Sequence, residues 1–329
     1  MTRAILGSTK GSSSAAASRS AAAPPAPAPP SEARRRNPGL ESKDDRTGGR
    51  AIARRIAFVN EKGGSAKTTL VASVAAWLAL ERARRVLAID FDPQGQLGKV
   101  LGVDVRSLRR SAIDLVLDGL LGDGSRAPLR PTAQAGSLPL VATRIPGLDL
   151  IPAEKTLGLL PGGDWAGHEG SGRLAERLRR AKELSGYDYV LFDAPPSFGP
   201  LTLNVLRAAE EIVVPVPLTF LALDGCAELV RTISMVRARH SHPALRISMV
   251  VPTFYRRTRL AHDVLEKLKC RFPKEIAQTV VGFHVKIDEA QSRGLSIFEY
   301  APGDRGARAL AALAEELEAR GSDASGGIG

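Results

Sequence analysis

The segment IAFVNEKGGSAKTTLVASVAAWLAL, residues 56–80, decides the fold of this 329-residue chain. It reads as a short apolar strand, a turn with two glycines, and a helix. A phosphate-binding loop forms in this context, because backbone N–H groups of the turn and the N-terminus of the helix attract phosphate oxygens. The standard pattern G-x-x-x-x-G-K-[ST] is not matched, since Glu61 and Ala66 occupy its two glycine positions.

Short apolar runs alternate with helical stretches along the rest of the chain, which is typical of βα units around a parallel sheet. Strands are predicted at residues 56–59, 86–91, 148–152, 189–194, 212–218 and 246–252. Helices are predicted at residues 68–82, 172–184, 221–239, 259–271 and 305–320, the last ending before Gly321. Gly/Pro-rich stretches at 122–131 and 161–172 are predicted to be surface loops. The predicted fold class is α/β, with a doubly wound, mostly parallel sheet in a single domain.

The residues of the glycine-containing turn carry a family resemblance. KGGSAKTT at 62–69 resembles the deviant Walker A motif, K-G-G-x-x-K-T, of the ParA/MinD partitioning ATPases. The later motifs of that family have similar counterparts here, in the same order, at 86–102, 187–216, 253–268 and 285–310. The resemblance covers residues 54–320 and implies a P-loop NTPase domain that hydrolyses ATP with Mg²⁺.

The resemblance also implies roles for individual residues. Lys62 is expected to reach across an ATP sandwich homodimer to the phosphates of the partner subunit. Lys67 would contact the β and γ phosphate oxygens, and the Thr68 hydroxyl would bind Mg²⁺. Asp193 matches the Walker B aspartate, which holds Mg²⁺ through water. Asp92 is expected to orient the attacking water, so Lys62, Lys67 and Asp92 form the predicted catalytic set.

Two further assignments complete the predicted site. Alternation along a strand places the carboxylates of Asp90 and Asp92 on one side, toward the nucleotide. Asp90 is assigned to the metal site or the switch, with a structural strand-end aspartate as the alternative. Thr253, with Phe254 and Tyr255, falls where relatives contact the adenine. The predicted nucleotide contacts are Lys62, Gly63, Gly64, Ser65, Ala66, Lys67, Thr68, Thr69 and Thr253, and the predicted metal ligands are Thr68, Asp90 and Asp193.

Three departures from the family pattern bear on the kinetics. Ala66 replaces a glycine, so it is expected to require a strained or altered turn, and Glu61 adds a negative charge beside the phosphates. Gly282 and Phe283 stand where many ParA sequences have Pro-Arg. We therefore expect slow hydrolysis that depends on an activating partner of the ParB type or another protein.

A formal net charge of +11, from 46 Lys and Arg against 35 Asp and Glu, favours an anionic partner. The sequence-independent DNA contact expected of a ParA relative needs only basic side chains that meet phosphates. Helical spacing predicts that Lys267, Arg271 and Lys274 share one stripe, and a solvated helix face is the ordinary alternative. The candidate contacts to double-stranded DNA are Arg256, Arg257, Arg259, Lys267, Lys269, Arg271 and Lys274.

Both ends of the chain are expected to be disordered. Residues 1–50 contain no aromatic residue and hold nine basic and four acidic residues, which give +5 of the total charge. Such a segment buries too little apolar surface to offset its ordering entropy. It is either a contact for a partner, such as the activator, or a solubilising leader. Residues 321–329 form the second segment expected to be disordered.

A MinD-like membrane-associated ATPase is one alternative function. The longest apolar stretch, residues 70–80, has about eleven residues, whereas a membrane span needs roughly 20. Glu315, Glu316 and Glu318 give the C-terminal helix the wrong charge for anionic lipid. We expect a cytoplasmic, nucleoid-associated protein without stable membrane association. An ATP-dependent amide-forming synthetase of the same fold is the second alternative.

The two cysteines of the chain, Cys226 and Cys270, lie far apart in the sequence. Neither has a Cys or His neighbour at metal-ligand spacing, so a disulfide scaffold is excluded and a reduced compartment is indicated. Both are predicted to be buried small hydrophobic residues.

Overall fold

A computed structural model describes residues 53–117, 137–159, 170–220 and 222–325, with the backbone alone at 222–224 and 322–325. The N-terminal segment predicted to be disordered, residues 1–50, lies outside the described residues. The predicted loop at 122–131 and residues 161–169 of the second predicted loop also lie outside them.

Eight strands form one sheet in the described part of the chain. They are β1 (Arg54–Phe58), β2 (Val86–Asp90), β3 (Val141–Ala142), β4 (Leu148–Ile151), β5 (Tyr189–Asp193), β6 (Glu211–Pro217), β7 (Arg246–Tyr255) and β8 (Val281–Gly282). Their spatial order is β3-β4-β2-β5-β1-β6-β7-β8, and only the β3–β4 pair is antiparallel. The chain leaves β1 toward β2 on one side and later returns to β6 on the other. Ligands of such sheets bind at this kind of switch point, outside the carboxyl ends of the strands.

Helices cover both faces of the sheet. They are α1 (Lys67–Arg82), α2 (Gln96–Val100), α3 (Asp114–Leu117), α4 (Arg173–Arg180), α5 (Pro200–Ala208), α6 (Ala222–Arg239), α7 (Arg259–Arg271), α8 (Val285–Ser292), α9 (Ile297–Tyr300) and α10 (Arg305–Ser325). Successive strand residues point to opposite faces, so Ile56 and Phe58 pack with α1, α2 and α8 to α10, whereas Ala57 and Val59 pack with α3 to α7. Because both faces are covered, β2, β5 and β6 are buried along their whole length.

The predicted fold class is confirmed, and all six predicted strands are present. Three details of the prediction are wrong. The helix predicted at 172–184 ends at Arg180 and is followed by a 3-10 helix, Lys182–Gly186. Cys226 is buried as predicted, but Cys270 is exposed on α7. The C-terminal helix continues through Gly321 to Ser325, so the segment 321–329 predicted to be disordered is helical as far as Ser325, and residues 326–329 lie outside the described residues. A Cβ at Gly321 would overlap the Arg54 guanidinium, so this glycine makes room for a side chain and does not end the helix.

A buried ion pair fastens the amino ends of the central strands to α10. Arg54 donates from Nε and Nη2 to the two carboxylate oxygens of Glu211, at 2.7 and 2.8 Å. Its Nη1 donates to the carbonyl oxygen of Leu317 at 2.8 Å. The hydrogen bond and charge of Arg54 hold the pKa of Glu211 below its usual value, even though burial opposes this shift. The pair lies at the opposite end of β1 from the glycine-containing turn.

Candidate functional site

The turn between β1 and α1 has two residues in the left-handed region. Gly64 has a φ of 67°, which glycine adopts readily. Ala66 has a φ of 75° and a ψ of 17° and is the N-cap residue of α1. Left-handed backbone costs an L-residue about 1–2 kcal/mol, so the turn stores strain at Ala66. The sequence predicts either a strained or an altered turn at Ala66, and the structure has the strained form.

Asn60, which no motif singles out, holds this turn in place. Its side chain is buried, its Nδ2 donates to the Pro215 carbonyl at 2.5 Å, and its Oδ1 accepts from the Lys62 backbone N–H at 2.8 Å. Its own carbonyl oxygen accepts from Lys67 Nζ at 3.0 Å. One residue therefore connects the turn to the end of β6 and places the ammonium group of Lys67. An asparagine directly after a buried strand was the only sequence signal for it.

Lys67, Thr68 and Asp193 come together where β1 and β5 end. The Thr68 hydroxyl donates to Asp193 Oδ2 at 2.7 Å. Burial lowers the pKa of Lys67, and the charges of Asp193 and Asp92 partly counteract this effect. Burial raises the pKa of Asp193 to about 7, although the Thr68 hydrogen bond and the Lys67 charge lower it. The site thus holds a buried carboxyl group whose negative charge Lys67 balances only in part.

Asp90 and Asp193 are register partners at the ends of the adjacent strands β2 and β5. Asp90 Oδ1 accepts from the Asp92 N–H at 3.1 Å, and Oδ2 accepts from the Leu97 N–H at 3.1 Å. Burial and the charge of Asp193 raise the pKa of Asp90. Half-buried Asp92 accepts from the Gln94 N–H at 3.0 Å. The geometry gives Asp90 a positioning role for the segment that carries Asp92, and a role in the metal shell stays a prediction.

Lys62 lies apart from this buried group. Its side chain is exposed, and its Nζ donates to the Thr219 hydroxyl at 3.0 Å, just beyond the end of β6. The backbone of Lys62 is fixed through Asn60, whereas its ammonium group contacts a single hydroxyl at the surface. Of the two loop lysines, Lys67 is therefore placed inside the site and Lys62 at its outer edge.

The residues present fit a nucleotide phosphate chain with Mg²⁺. A Cβ added at Gly63 or Gly64 would meet no atom within 4 Å, so open space lies beside the turn. Within the described part of the chain, Ser65 Oγ and Asp193 Oδ1 are buried atoms without a hydrogen-bond partner. A buried polar atom left without a partner is costly, and phosphate oxygens and a divalent cation would satisfy a hydroxyl and a carboxylate respectively.

Comparison with known proteins agrees with this geometry. A family model described as an AAA domain matches residues 53–247. The chromosome-partitioning ATPase Soj of Thermus thermophilus is 39% identical over 276 residues, which are 84% of this chain and 99% of that protein. The chain belongs to the ParA/MinD family of deviant Walker A ATPases. The sporulation initiation inhibitor protein Soj of Bacillus subtilis is 34% identical and is matched over 98% of its length by 81% of this chain. The resemblance predicted from the sequence is confirmed.

A solved structure of a similar protein shares the fold over most of this chain. Cobyrinic acid a,c-diamide synthase from Mycobacterium smegmatis, with bound ATP analog and magnesium, superimposes with a TM-score of 0.62 and is 32% identical. The match covers 83% of this chain and 97% of that one. This diamide synthase shares the fold of the chain, so the fold alone does not separate a partitioning ATPase from a diamide synthase.

The ParA-type loop adjoins a cleft of about 70 Å³. Its inner wall includes Ala66, Thr69 and Thr253, and its outer wall is the segment from Val281 to His284. Thr253 is buried at the end of β7, and its hydroxyl donates to the Ser65 carbonyl at 3.4 Å. Phe254 also lines the cleft. The predicted adenine contact at Thr253 is therefore next to the phosphate loop, but the contact itself stays a prediction.

The basic cluster predicted to contact DNA is exposed at all seven positions, on and beside α7. Thr258 begins this helix by accepting from the Ala261 N–H at 3.2 Å, and the helix ends at Arg271. Lys274 therefore does not share a helical stripe with Lys267 and Arg271, and that part of the prediction is wrong. Pro273 explains the early end, because the residue before a proline disfavours helical backbone.

Proposed function

We propose that this chain is a ParA-type ATPase that dimerises around ATP, binds duplex DNA without sequence preference and positions a cargo. The observation that carries the proposal is the separation of the two loop lysines. Lys67 is buried against Asn60 and serves its own site, whereas Lys62 is exposed at the edge and, among the described residues, contacts Thr219. An exposed ammonium beside a phosphate loop can approach the phosphates of a second subunit.

The chain's own residues supply binding and orientation for hydrolysis. Backbone N–H groups around Gly63 and Gly64, with Lys67, hold the phosphate chain. Thr68 and Asp193 would hold Mg²⁺, and the cation would supply positive charge against the transferred phosphate. Asp92 orients the attacking water, because phosphoryl transfer depends on positioning more than on a strong base.

Hydrolysis is slow in the isolated protein and is stimulated by a partner. Asp92 is half-buried, and one of its oxygens already accepts a backbone N–H of its own turn. A partner that orders this turn would raise the rate from well below the roughly 10 s⁻¹ of a median enzyme. We assign this role to a ParB-like or other activator, with residues 1–50 as its candidate contact. The cargo is a chromosome, a plasmid or the division machinery.

DNA is a better partner than a membrane for this chain. In the described residues, no helix combines the length and the hydropathy needed to cross a membrane. The apolar face of α10 is already buried, because Leu310, Leu313 and Leu317 pack into the core. Glu315 and Glu318 pair with Arg82. An amphipathic lipid anchor would need that face free, so we place the protein in the cytoplasm, on the nucleoid, with no stable membrane association.

An amide-forming synthetase is the second candidate, favoured by the 32% identity to the diamide synthase structure. Such an enzyme would consume ATP only when a small carboxylate substrate and a nitrogen donor are present. Cys226 cannot act as the thiolate nucleophile that releases nitrogen from a donor, because burial raises the pKa of its thiol to about 11. ATP turnover that requires a carboxylate and is indifferent to DNA would support the synthetase.

Duplex binding tests the positioning function. We expect DNA binding with ATP and Mg²⁺, weaker binding with ADP, and affinity that falls steeply with salt. Lys267→Glu with Arg271→Glu should weaken binding and reduce the salt slope by about 1 for each phosphate that is no longer neutralised. Arg179→Glu with Arg180→Glu, which replaces two exposed arginines that pair with Glu176 at the end of α4, is the control. Equal effects of the two pairs, or no binding with ATP, would contradict the proposal.

A further inference from the structure

The outer face of α6 carries arginines that have no acidic partner. From Leu229 to His262 the chain contains seven arginines and no lysine, aspartate or glutamate. Arg231 and Arg237 are exposed, and within the described part of the chain neither forms an ion pair with a carboxylate. The two exposed arginines of α4, by contrast, both pair with a glutamate of their own helix. The guanidinium groups on α6 are therefore available to an anionic partner.

A groove of about 360 Å³ lies beside these arginines and is lined by Ser234, Arg237, Ala238 and Pro243. The Ser234 hydroxyl donates to the Val230 carbonyl of its own helix at 3.0 Å, so its proton is already used. Met235 is 38% exposed and is a surface neighbour of both Arg231 and Ala238, at helical spacings of four and three residues. The groove and its rim thus combine apolar surface with unpaired positive charge.

The segment after α6 is fastened to the end of the helix. The His242 backbone N–H donates to the Arg237 carbonyl at 3.3 Å, and the Leu245 N–H donates to the His242 carbonyl at 3.3 Å. The His242 ring donates from Nε2 to the Ala209 carbonyl at 2.6 Å. Pro243 is held between these contacts, so the groove has a defined wall on the side away from the helix.

The groove lies at the opposite edge of the sheet from the phosphate loop. β6 ends at Pro217, α6 follows, and the parallel strand β7 begins at Arg246. The helix therefore runs back along the sheet, and its last turns lie near the amino ends of the strands. The phosphate loop follows the carboxyl end of β1, so the groove is separate from the nucleotide site.

We propose that this groove binds an acidic segment of a partner protein, with carboxylates on Arg231 and Arg237 and one apolar side chain in the groove. A guanidinium group matches the planar geometry of a carboxylate. Arginine and methionine are enriched at protein interfaces and lysine is depleted, which is the composition of this face. An exposed methionine adapts to partner side chains of different shapes. Contact with DNA phosphates needs charge alone and would leave the groove empty, so a duplex fits this face less well.

Fluorescence anisotropy with the full-length chain and no nucleotide tests the proposal. One labelled probe is a peptide of glutamates with a central Leu-Phe pair, and the second is an all-glutamate peptide of the same length. The Leu-Phe peptide should bind about tenfold more tightly, because it buries an apolar side chain. Arg231→Gln with Arg237→Gln should weaken its binding about tenfold. Arg179→Gln with Arg180→Gln, which removes the same charge from α4, should weaken it less than twofold.

Filling the groove separates its contribution from that of the charges. Ala238→Phe places a ring in the groove from an exposed position, so the Leu-Phe peptide should bind no more tightly than the all-glutamate peptide. Ala227→Phe is the matched control, because Ala227 is also exposed on α6, about three turns earlier and on nearly the same face. It should leave the preference for the Leu-Phe peptide unchanged.

Three outcomes would overturn the inference. The first is equal binding of the two peptides by the wild type, and the second is a preference for the Leu-Phe peptide that survives Ala238→Phe. The third concerns a labelled short DNA duplex. If the double substitution of Arg231 and Arg237 weakens duplex binding as much as peptide binding, these arginines serve nucleic acid and not a protein. Because no nucleotide is present, none of these results depends on the proposed ATPase function.

Discussion

Replacing Ala66 by glycine tests whether the phosphate loop is already in its binding shape. Ala66 has a φ of 75°, which costs an L-residue about 1–2 kcal/mol and glycine almost nothing. Glycine loses about 0.4–1 kcal/mol more backbone entropy on folding. The half-buried methyl group also contributes packing to the core beside α1. The net gain in the free energy of unfolding for Ala66→Gly should therefore be about 0.5 kcal/mol.

Ala83 supplies a matched comparison within the same helix. It is the C-cap residue of α1, with a φ of 50° and a ψ of 32°, and its side chain is exposed. Ala83→Gly removes the same kind of strain without losing buried area, so its gain should be larger, about 1 kcal/mol. In a domain of this size that corresponds to a rise of about 2 °C in Tm. Thermal and urea unfolding would show which of the two variants gains more stability.

The ATP affinity of Ala66→Gly shows whether the strain at Ala66 affects nucleotide binding. If the bound loop keeps the same backbone, strain is removed equally from the free and bound states, and the Kd of Ala66→Gly should stay within twofold of the wild type. Calorimetric titration with ATP and Mg²⁺ would measure this, with Ala83→Gly unchanged as control. A tenfold gain in affinity without a gain in stability would refute the reasoning, because it would show that alanine distorts the loop.

Four shorter predictions concern buried charge and exposure. Mg²⁺-dependent ATP affinity should rise from pH 6 to pH 8, because Asp193, with its pKa raised to about 7, must ionise to bind the cation; Asp193→Asn should remove this rise. Without metal, the free energy of unfolding should fall as pH rises from about 4 to about 7. In this range Asp193 is ionised in the unfolded chain but still protonated in the folded protein. Arg54→Ala should cost about 2 kcal/mol by denaturant unfolding, since buried Glu211 loses both hydrogen bonds from Arg54 and keeps the longer contact with Arg246 at 3.3 Å; a loss below about 1 kcal/mol would contradict this. Iodoacetamide at pH 8 should modify exposed Cys270 in the folded protein and leave buried Cys226 unmodified until unfolding, as peptide mass analysis would show.

The sequence predicts the central sheet well because its strands are buried on both faces. Runs such as YVLFD, residues 189–193, do not alternate between polar and apolar residues, so the limits of the strand are easy to recognise in the sequence. The edge strands β3 and β8 have only two residues each, and so short a pairing leaves no periodic pattern. The same holds for α9, with four residues, which begins at a capping box formed by Ser296 and Glu299.

Site residues divide in the same way into those with a local signal and those without. Lys67 and Thr68 follow a glycine turn and precede an apolar helix, so their neighbours in sequence identify them. Asp193 ends a buried strand and meets Thr68 at 2.7 Å, across 125 positions of sequence. Such a contact is accessible from sequence only through a family resemblance. Gln291, which holds Thr69 from 222 positions away, lies in the matched stretch 285–310, but no role was predicted for it.

Asn60 shows why the loop needs residues that motifs do not report. Its amide must donate to the Pro215 carbonyl and accept from the Lys62 N–H at the same time. An aspartate could accept but would face that carbonyl without a proton to donate, and a serine would be too short to span both contacts. The requirement arises from the distance between two strand ends, which the chain sets only when β1 and β6 pair. Because the same residue also receives the Lys67 ammonium, sheet pairing and the position of Lys67 are coupled.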